Sequence, residues 1–371
     1  MCSSDLDLAA QVLDELVRRT GADPARIDDV IMGCVSQIGE QSTNVARGAV
    51  LASSLPESVP ATSVDRQCGS SQQALHFAAQ AVMSGTMDCV IASGVESMSR
   101  VPIGTPMDLP QKAGLGFYKS PQMEDRYPDV LFSQFTGAEM VCQNWDLHRE
   151  EMDHFSLESH RKAAAATQAG KFADEIVPVA QRLHDGSMPG VMAEADEGIR
   201  YDASYEAISQ VRLLQEGGRL TAASASQICD GAAGLMVVSE KGLRDLGVDP
   251  LARIHHISVT GGDPVVMLDT PIAATRRALD KAGMTIGDID LYEVNEAFAS
   301  IPMAWMKGVD ADPERLNVHG GAIALGHPLG GSGAKLMVTL LHALQDRGAR
   351  YGLQTMCEGG GQANVTIVER L

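Results

Sequence analysis

Long apolar runs are missing from this chain, and with them any helix able to cross a bilayer, since none approaches the roughly 20 residues a span requires. Positive charge is also short. Against 48 Asp and Glu stand 29 Lys and Arg, a formal net charge of −19, which argues against nucleic acid or an anionic membrane as a partner. A few well-placed Arg or Lys still suffice to hold an anionic small molecule. The opening MCSSDLDLAA has none of the regions of a secretory signal. Seven cysteines, an odd number without paired spacing, point to a reducing compartment, the cytoplasm. Cys-x2-Cys and His-x3-His are absent, so no metal site is expected. GxxxxGK[ST] and GxGxxG are absent too, which removes nucleotide-phosphate loops of those kinds.

What is there is ordinary for a globular enzyme: 371 residues, 44% hydrophobic, with mean hydropathy near zero. The length predicts two core units with an insertion. Periodicity predicts a helix over 5–19, with Leu6, Ala9, Val12, Leu13, Leu16 and Val17 on one face. Strands are expected over 30–35, 61–66 and 88–93, and helices over 44–52 and 72–83. From 102 to 217 prolines, glycines, charges and most aromatics collect, with one clear helix over 150–169. So long a segment must carry helices of its own. Residues 230–238 read as a helix turn leading into a returning strand, and a second αβ series starts near Ala252.

The halves look alike. Ile27-Asp28-Asp29-Val30-Ile31 parallels Ile289-Asp290-Leu291-Tyr292-Glu293; Cys68 lies 41 residues after Ile27, and His327 lies 38 after Ile289. The alternation predicts two mainly parallel sheets with crossover helices, which place ligands at the C-terminal ends of strands.

Three stretches carry reactive residues. Cys68, in Arg66-Gln67-Cys68-Gly69-Ser70, joins a strand to a helix. Helix N-terminal N–H groups there favour a thiolate, though a buried structural cysteine fits the local pattern equally. His327 sits in NVHGGAIALGHPLGGSGAK, where six glycines and Pro328 leave it little freedom; it is either a base or a histidine fixing a turn. Within that stretch Ala322–Leu325 reads as a short buried strand and the residues from Ala334 as an apolar-faced helix. Cys357 precedes Glu-Gly-Gly-Gly, either a strand end opening into a nest of N–H groups or a glycine turn with an incidental cysteine. Asn295-Glu296 at a strand end could position a water or cap the next helix. Cys34, Cys89, Cys142 and Cys229 have no such turn and read as structural.

Taken in order, RQCGSSQQAL, GVESMSRVP, NEAFAS, NVHGGAIALGHPLGGSGAK and CEGGGQ resemble the thiolase family over nearly the whole chain. Related condensing enzymes lack the second cysteine, so Cys357 favours thiolases. The resemblance implies an α/β fold of two duplicated halves in five layers, α/β/α/β/α. The halves would be residues 1–246, with a loop domain inserted at about 102–217, and 247–371. It implies acyl-CoA and CoA as substrates, with coenzyme A a co-substrate and no permanently bound cofactor. A homodimer or homotetramer is implied, and thiolysis of 3-oxoacyl-CoA to acetyl-CoA and a shortened acyl-CoA, reversible as a Claisen condensation.

By position, Cys68 would be acylated, His327 would take its proton, and Cys357 would move the proton at the α-carbon. His327 and a water held by Asn295 would stabilise the enolate, and the N–H groups of Cys68 and Gly359 the tetrahedral intermediates. Losing one such donor typically costs about 3–4 kcal/mol. Ser226 and Phe298 would line the pantetheine tunnel. Arg200 would lie near the nucleotide, unless it is an ordinary surface arginine.

The chain departs from the family in three places. The opening strand ending Arg-Thr-Pro-x-Gly is absent, which reads as a truncation and predicts a gap beside the strand ending at Ser93. A non-catalytic CoA-binding protein, inactivated by that loss, is the alternative. His319 replaces a usual asparagine, with an expected effect on the hydrogen bonds of His327. Gln134 and Thr136 stand where short-chain members carry His-Met, and CGSSQQA is similar to actinobacterial thiolases that degrade fatty acyl or steroid side chains.

Overall fold

The computed structural model describes residues 5–181 and 187–371. The first half runs α1 (Asp5–Thr20), β1 (Asp29–Gly33), α2 (Val45–Ala52), β2 (Ala61–Val64), α3 (Ser70–Met83) and β3 (Cys89–Ser97). Among the described residues, the segment 102–217 then holds five helices and a short antiparallel strand pair. The helices are α4 (Thr105–Lys112), α5 (Pro121–Arg126), α6 (Gln134–Asn144), α7 (Arg149–Gln168) and α8 (Tyr205–Ser209). The pair is β4 (Val179–Ala180) with β5 (Met192–Ala193). The chain returns through β6 (Asp230–Val238) and α9 (Glu240–Leu246). The second half runs β7 (Ala252–Gly261), α10 (Thr270–Ala282), β8 (Leu291–Val294), α11 (Ser300–Val309), α12 (Ala322–Leu325), α13 (Ser332–Arg347), β9 (Tyr351–Glu358) and β10 (Gln362–Arg370).

Two four-stranded sheets result, ordered β2-β1-β3-β6 and β8-β9-β10-β7. Apolar side chains alternate across each strand and fill both faces, which produces five layers. Leu13 of α1 and Val45 and Ala49 of α2 cover one face of the first sheet. Ala74 and Leu75 of α3 and Met337 and Leu340 of α13 fill the middle layer, against Ile31 and Val90 on one side and Leu291 and Val368 on the other. Trp305 of α11 and Ile272 and Leu279 of α10 close the far side of the second sheet over Tyr292, Val365 and Ile367. The middle helices touch almost backbone to backbone: a Cβ on Gly333 would lie 2.2 Å from the Gln72 nitrogen.

The duplication extends to hydrogen bonds. The Asp28 carboxylate accepts the N–H groups of Asp88 and Cys89 at 2.7 and 3.0 Å, and Asp290 accepts those of Arg350 and Tyr351, both at 2.8 Å. Asp28 N–H also donates to Cys89 O, and Asp290 N–H to Tyr351 O. Cys89 and Tyr351 are therefore equivalent positions, and so, seven residues on, are Glu96 and Glu358.

Four expectations change. The first sheet has two parallel ladders and one antiparallel. In the second only β8–β9 is parallel, because the three-residue Gly359-Gly360-Gly361 turn, with φ of 79° and 75° at Gly360 and Gly361, folds β10 straight back on β9, and β10 runs antiparallel to β7 as well. Residues 230–238 are strand throughout, paired with β3 along its length. Ala322–Leu325 is one helical turn, not a strand: Gly321 and Gly326 bound it, and Glu296 accepts the Ile323 N–H at 3.1 Å. A short apolar run has no period to separate the two. Finally, β6 fills the space beside the strand ending at Ser93. The open edge is the outer side of β6, where among the described residues no strand lies. It faces a groove of ≈ 1460 Å³ that α1, β7 and α13 also line. The equivalent edge of β10 is covered by β7.

Candidate active site

Cys68 stands at the head of α3 because the preceding turn is locked. Gln67 adopts φ 49°, a conformation that costs a non-glycine residue energy. Asp65 holds it by accepting the Gln67 N–H at 2.7 Å. Ser70 Oγ accepts from Arg66 N at 2.9 Å and donates to Gln67 O at 2.6 Å. Cys68 is 8% exposed and packs with Leu329, Leu336 and Met356, so the three reactive stretches meet here. Two N–H groups, its own and that of Gly359, bond the sulfur and lower its pKa. Burial first and the Glu358 charge second outweigh them, and the thiol is pushed up to about 12. At rest Cys68 is a neutral thiol rather than the thiolate its helix position suggests, because desolvation exceeds the helix-terminal field.

His327 is buried at 4% exposure, and its backbone N–H donates to Gln227 O at 3.0 Å. Burial, then the Lys335 charge, pushes its pKa down to about 4, so the ring is neutral near pH 7. The tautomer follows from Ser332. Its hydroxyl donates to Pro328 O at 2.8 Å, so the 2.5 Å contact with His327 Nδ1 needs its proton on Nδ1. Nε2 then keeps a lone pair, which accepts from Asn295 Nδ2 at 3.3 Å. Asn295 is 1% exposed, and its Oδ1 has no protein partner. Ser332→Ala leaves Nδ1–H unpaired, and burying an unsatisfied donor costs about 1–3 kcal/mol. Cys68 acylation is expected to slow roughly tenfold or more, and Ser332→Thr to recover part of it. Stopped-flow acylation rates decide this, and an unchanged rate in Ser332→Ala overturns the tautomer assignment.

Cys357 is fully buried near the end of β9. Its thiol is raised well above the usual range by burial first, then by Cys68 and Glu358. The effect of Cys68 on Cys357 puts the two cysteines within electrostatic reach. Gly359 follows in the turn to β10, where a Cβ would meet Gln67 Oε1 at 2.8 Å. The three reactive stretches therefore bring to one buried region a neutral imidazole, whose Nε2 meets Asn295, two neutral thiols and two N–H groups that act on the Cys68 sulfur. That combination can transfer a proton, form a thioester and hold an oxyanion.

Ser226 directly precedes Gln227, whose carbonyl accepts the His327 N–H. Ser226 N–H donates to Ala297 O at 3.0 Å, in the segment bridged to Phe298, which is 3% exposed. Phe135, on the first turn of α6 between Gln134 and Thr136, meets Phe298 edge-on at 5.6 Å, so this turn borders the same wall. Arg200 is exposed; its backbone N–H donates to His160 Nδ1 at 3.2 Å. His319 does not touch His327, whose ring nitrogens belong to Asn295 and Ser332. It turns to Phe172, edge-on at 5.9 Å. Among the described residues no group of His, Cys, Asp and Glu could hold a metal, and no helix is long and apolar enough to cross a membrane.

Sequence reasoning missed Ser332 and Glu358, and took Glu296 only as half of a polar pair that positions a water or caps a helix. Glu296 accepts from Ser159 Oγ (2.6 Å), Asn317 Nδ2 (2.9 Å) and Ile323 N–H, and so ties the asparagine strand end to α7 and the glycine-rich loop. Ser332 lies five residues after His327, a spacing that a helix starting at Ser332 makes readable.

Comparison with known proteins matches two family models, described as "Thiolase, N-terminal domain" over residues 3–241 and "Thiolase, C-terminal domain" over 248–370. The chain is 52% identical to a steroid 3-ketoacyl-CoA thiolase of Mycobacterium tuberculosis, over 99% of this chain and 88% of the relative. It is 42% identical to an acetyl-CoA acetyltransferase of Chromobacterium violaceum, over 98% and 93%. The crystal structure of the Bacillus anthracis acetyl-CoA acetyltransferase superposes with a TM-score of 0.89 at 34% identity, covering 99% of this chain and 93% of that one.

Proposed function

The chain belongs to the thiolase family, and from that premise we propose that it is a degradative acyl-CoA C-acyltransferase. It cleaves a 3-oxoacyl-CoA with CoA through an acyl-enzyme on Cys68. The observation that carries this is the hold of Ser332 on His327 Nδ1, which leaves Nε2, met by Asn295 Nδ2, as the ring nitrogen that can take a proton. Nε2 takes the Cys68 proton as the sulfur attacks the 3-oxo carbon. The oxyanion formed is held by the N–H groups of Cys68 and Gly359. The C2–C3 bond breaks, its electron pair goes to C2, and Cys357 protonates that carbon to give acetyl-CoA. His327, now carrying a proton on Nε2, donates to the enolate oxygen beside Asn295. Its two duties are therefore sequential: it becomes a donor only after acting as base. The thiol of a second CoA then gives its proton to the Cys357 thiolate and attacks the acyl carbon, and Cys68 leaves as a thiolate that takes back the proton held on His327 Nε2.

Ser226, Phe298 and Arg200 are proposed for CoA, with no resident cofactor. The wall of Phe298 and Phe135 supports an acyl chain longer than acetoacetyl, and the similarity to a protein named for steroid substrates favours a bulky side chain. We place the enzyme in the cytoplasm as a homodimer or homotetramer, readable by light scattering. The non-catalytic alternative finds no support, since relatives matched over nearly the whole chain are named as enzymes. Thiolysis is tested by loss of the 3-oxoacyl thioester-enolate absorbance across a panel of chain lengths that includes a steroid side chain. Absence of turnover with every member sinks the reading.

A further inference from the structure

Glu96 and Glu358 occupy equivalent places in the two halves, both fully buried at a strand end, yet their surroundings differ. Glu96 is completely solvated by protein donors. Its Oε1 accepts Ser36 N–H at 3.0 Å and Gln41 Nε2 at 2.9 Å, and its Oε2 accepts Val35 and Gly330 N–H, both at 2.9 Å. Glu358 has one donor, Asn364 N–H at 3.0 Å on Oε1, and Oε2 has none. Its carboxyl lies against the cap of α3: a Cβ on Gly69 would fall 2.0 Å from Oε1. Gly69 follows Cys68, and Gly359 follows Glu358. The carboxyl thus lies beside the turn that carries the nucleophile and next in sequence to Gly359, whose N–H also bonds the sulfur.

We propose that Glu358 is a positioning residue that must carry a proton, on Oε2, for Cys68 to ionise and for an oxyanion to form between the Cys68 and Gly359 N–H groups. A negative charge at this depth opposes both anions and the Cys357 thiolate; a neutral carboxylic acid opposes none. The groups around it do not supply a counter-charge in contact. Arg66 Nη1 is engaged by Gln362 Oε1 at 2.5 Å. His76 of α3 is kept neutral near pH 7, its pKa pushed down to about 3 by burial. Asp65 adds like charge toward Cys68, and Cys68 and Cys357 are themselves acids. Burial pushes the carboxyl up to about 8, against lowering by Arg66 and by the Asn364 N–H. The acid therefore holds its proton through neutral pH and loses it in the alkaline range, where a thiol would otherwise gain reactivity.

This rests on Cys68 as the nucleophile but is read without turnover, by the iodoacetamide alkylation rate of Cys68 followed by peptide mass spectrometry. In the native protein the rise of that rate with pH is expected to bend downward above about pH 8, as Glu358 ionises. In Glu358→Gln the bend disappears. The two proteins react alike near about pH 6.5, and the variant reacts several-fold to about tenfold faster near about pH 9.5. Glu96→Gln, at the fully bonded twin, is expected to keep the native bend. Parallel profiles for native protein and Glu358→Gln overturn the proposal. If Glu358→Gln does not fold, a native profile without a bend overturns it alone. Loss of thiolysis with the bend intact would count against the proposed reaction and not against this role.

Discussion

Cys68→Ala is expected to abolish covalent acylation and lower thiolysis by at least about four orders of magnitude, because no other group in the pocket can form the thioester. Cys357 cannot substitute. It is fully buried, and burial above all holds its thiol well above the usual range. The Cys68 side chain fills part of a small apolar cluster with Met98, Leu329 and Met356, so some loss of thermal stability accompanies the change. The measurement is intact mass after mixing with a 3-oxoacyl-CoA: native protein gains an acyl group, and the variant gains none. An adduct persisting on the variant would place the nucleophile elsewhere.

Cys357→Ser separates the two half-reactions. Serine keeps the size of the buried residue but not its acidity, so proton transfer at C2 fails while attack at a thioester carbonyl does not. General acid–base catalysis contributes roughly 10²–10⁴-fold, and that is the expected loss in both thiolysis and condensation. Acylation of Cys68 by a simple acyl-CoA needs no C2 proton and is expected to continue within about threefold of the native rate, since its oxyanion donors are untouched. Exchange of labelled CoA into acyl-CoA measures this half alone. Equal loss of exchange and condensation would contradict the division of labour between the cysteines.

Much of the site was legible in the chain because its chemistry is built on local geometry. A strand, a cysteine and a helix in succession put Cys68 at a helix head, whatever surrounds it. Glycine density around His327 signalled close backbone approach, and Gly333 against Gln72 is that approach. The repeat was visible at Ile27-Asp28 and Ile289-Asp290 because both aspartates do the same local work, accepting two successive N–H groups each. Less was legible where a residue's state depends on distant neighbours. His319 stood out by its position beside the histidine loop, yet its ring turns away to Phe172 from another part of the chain.

The sequence by itself determined the two αβ halves and the three reactive stretches, since periodicity, turns and residue order are properties of neighbours along the chain; the five layers and the reaction class follow from the resemblance those stretches carry to the thiolase family. Only the tertiary structure decided that β10 folds back against β9, that Ala322–Leu325 is a helical turn, and that no strand among the described residues lies on the outer edge of β6. It also decided the protonation of the site. Cys68 rests as a thiol and His327 as a neutral ring, and Glu358 differs from its twin Glu96 in the number of donors that reach it. Desolvation and hydrogen-bond supply are set by what packs across the halves, and no local pattern encodes them.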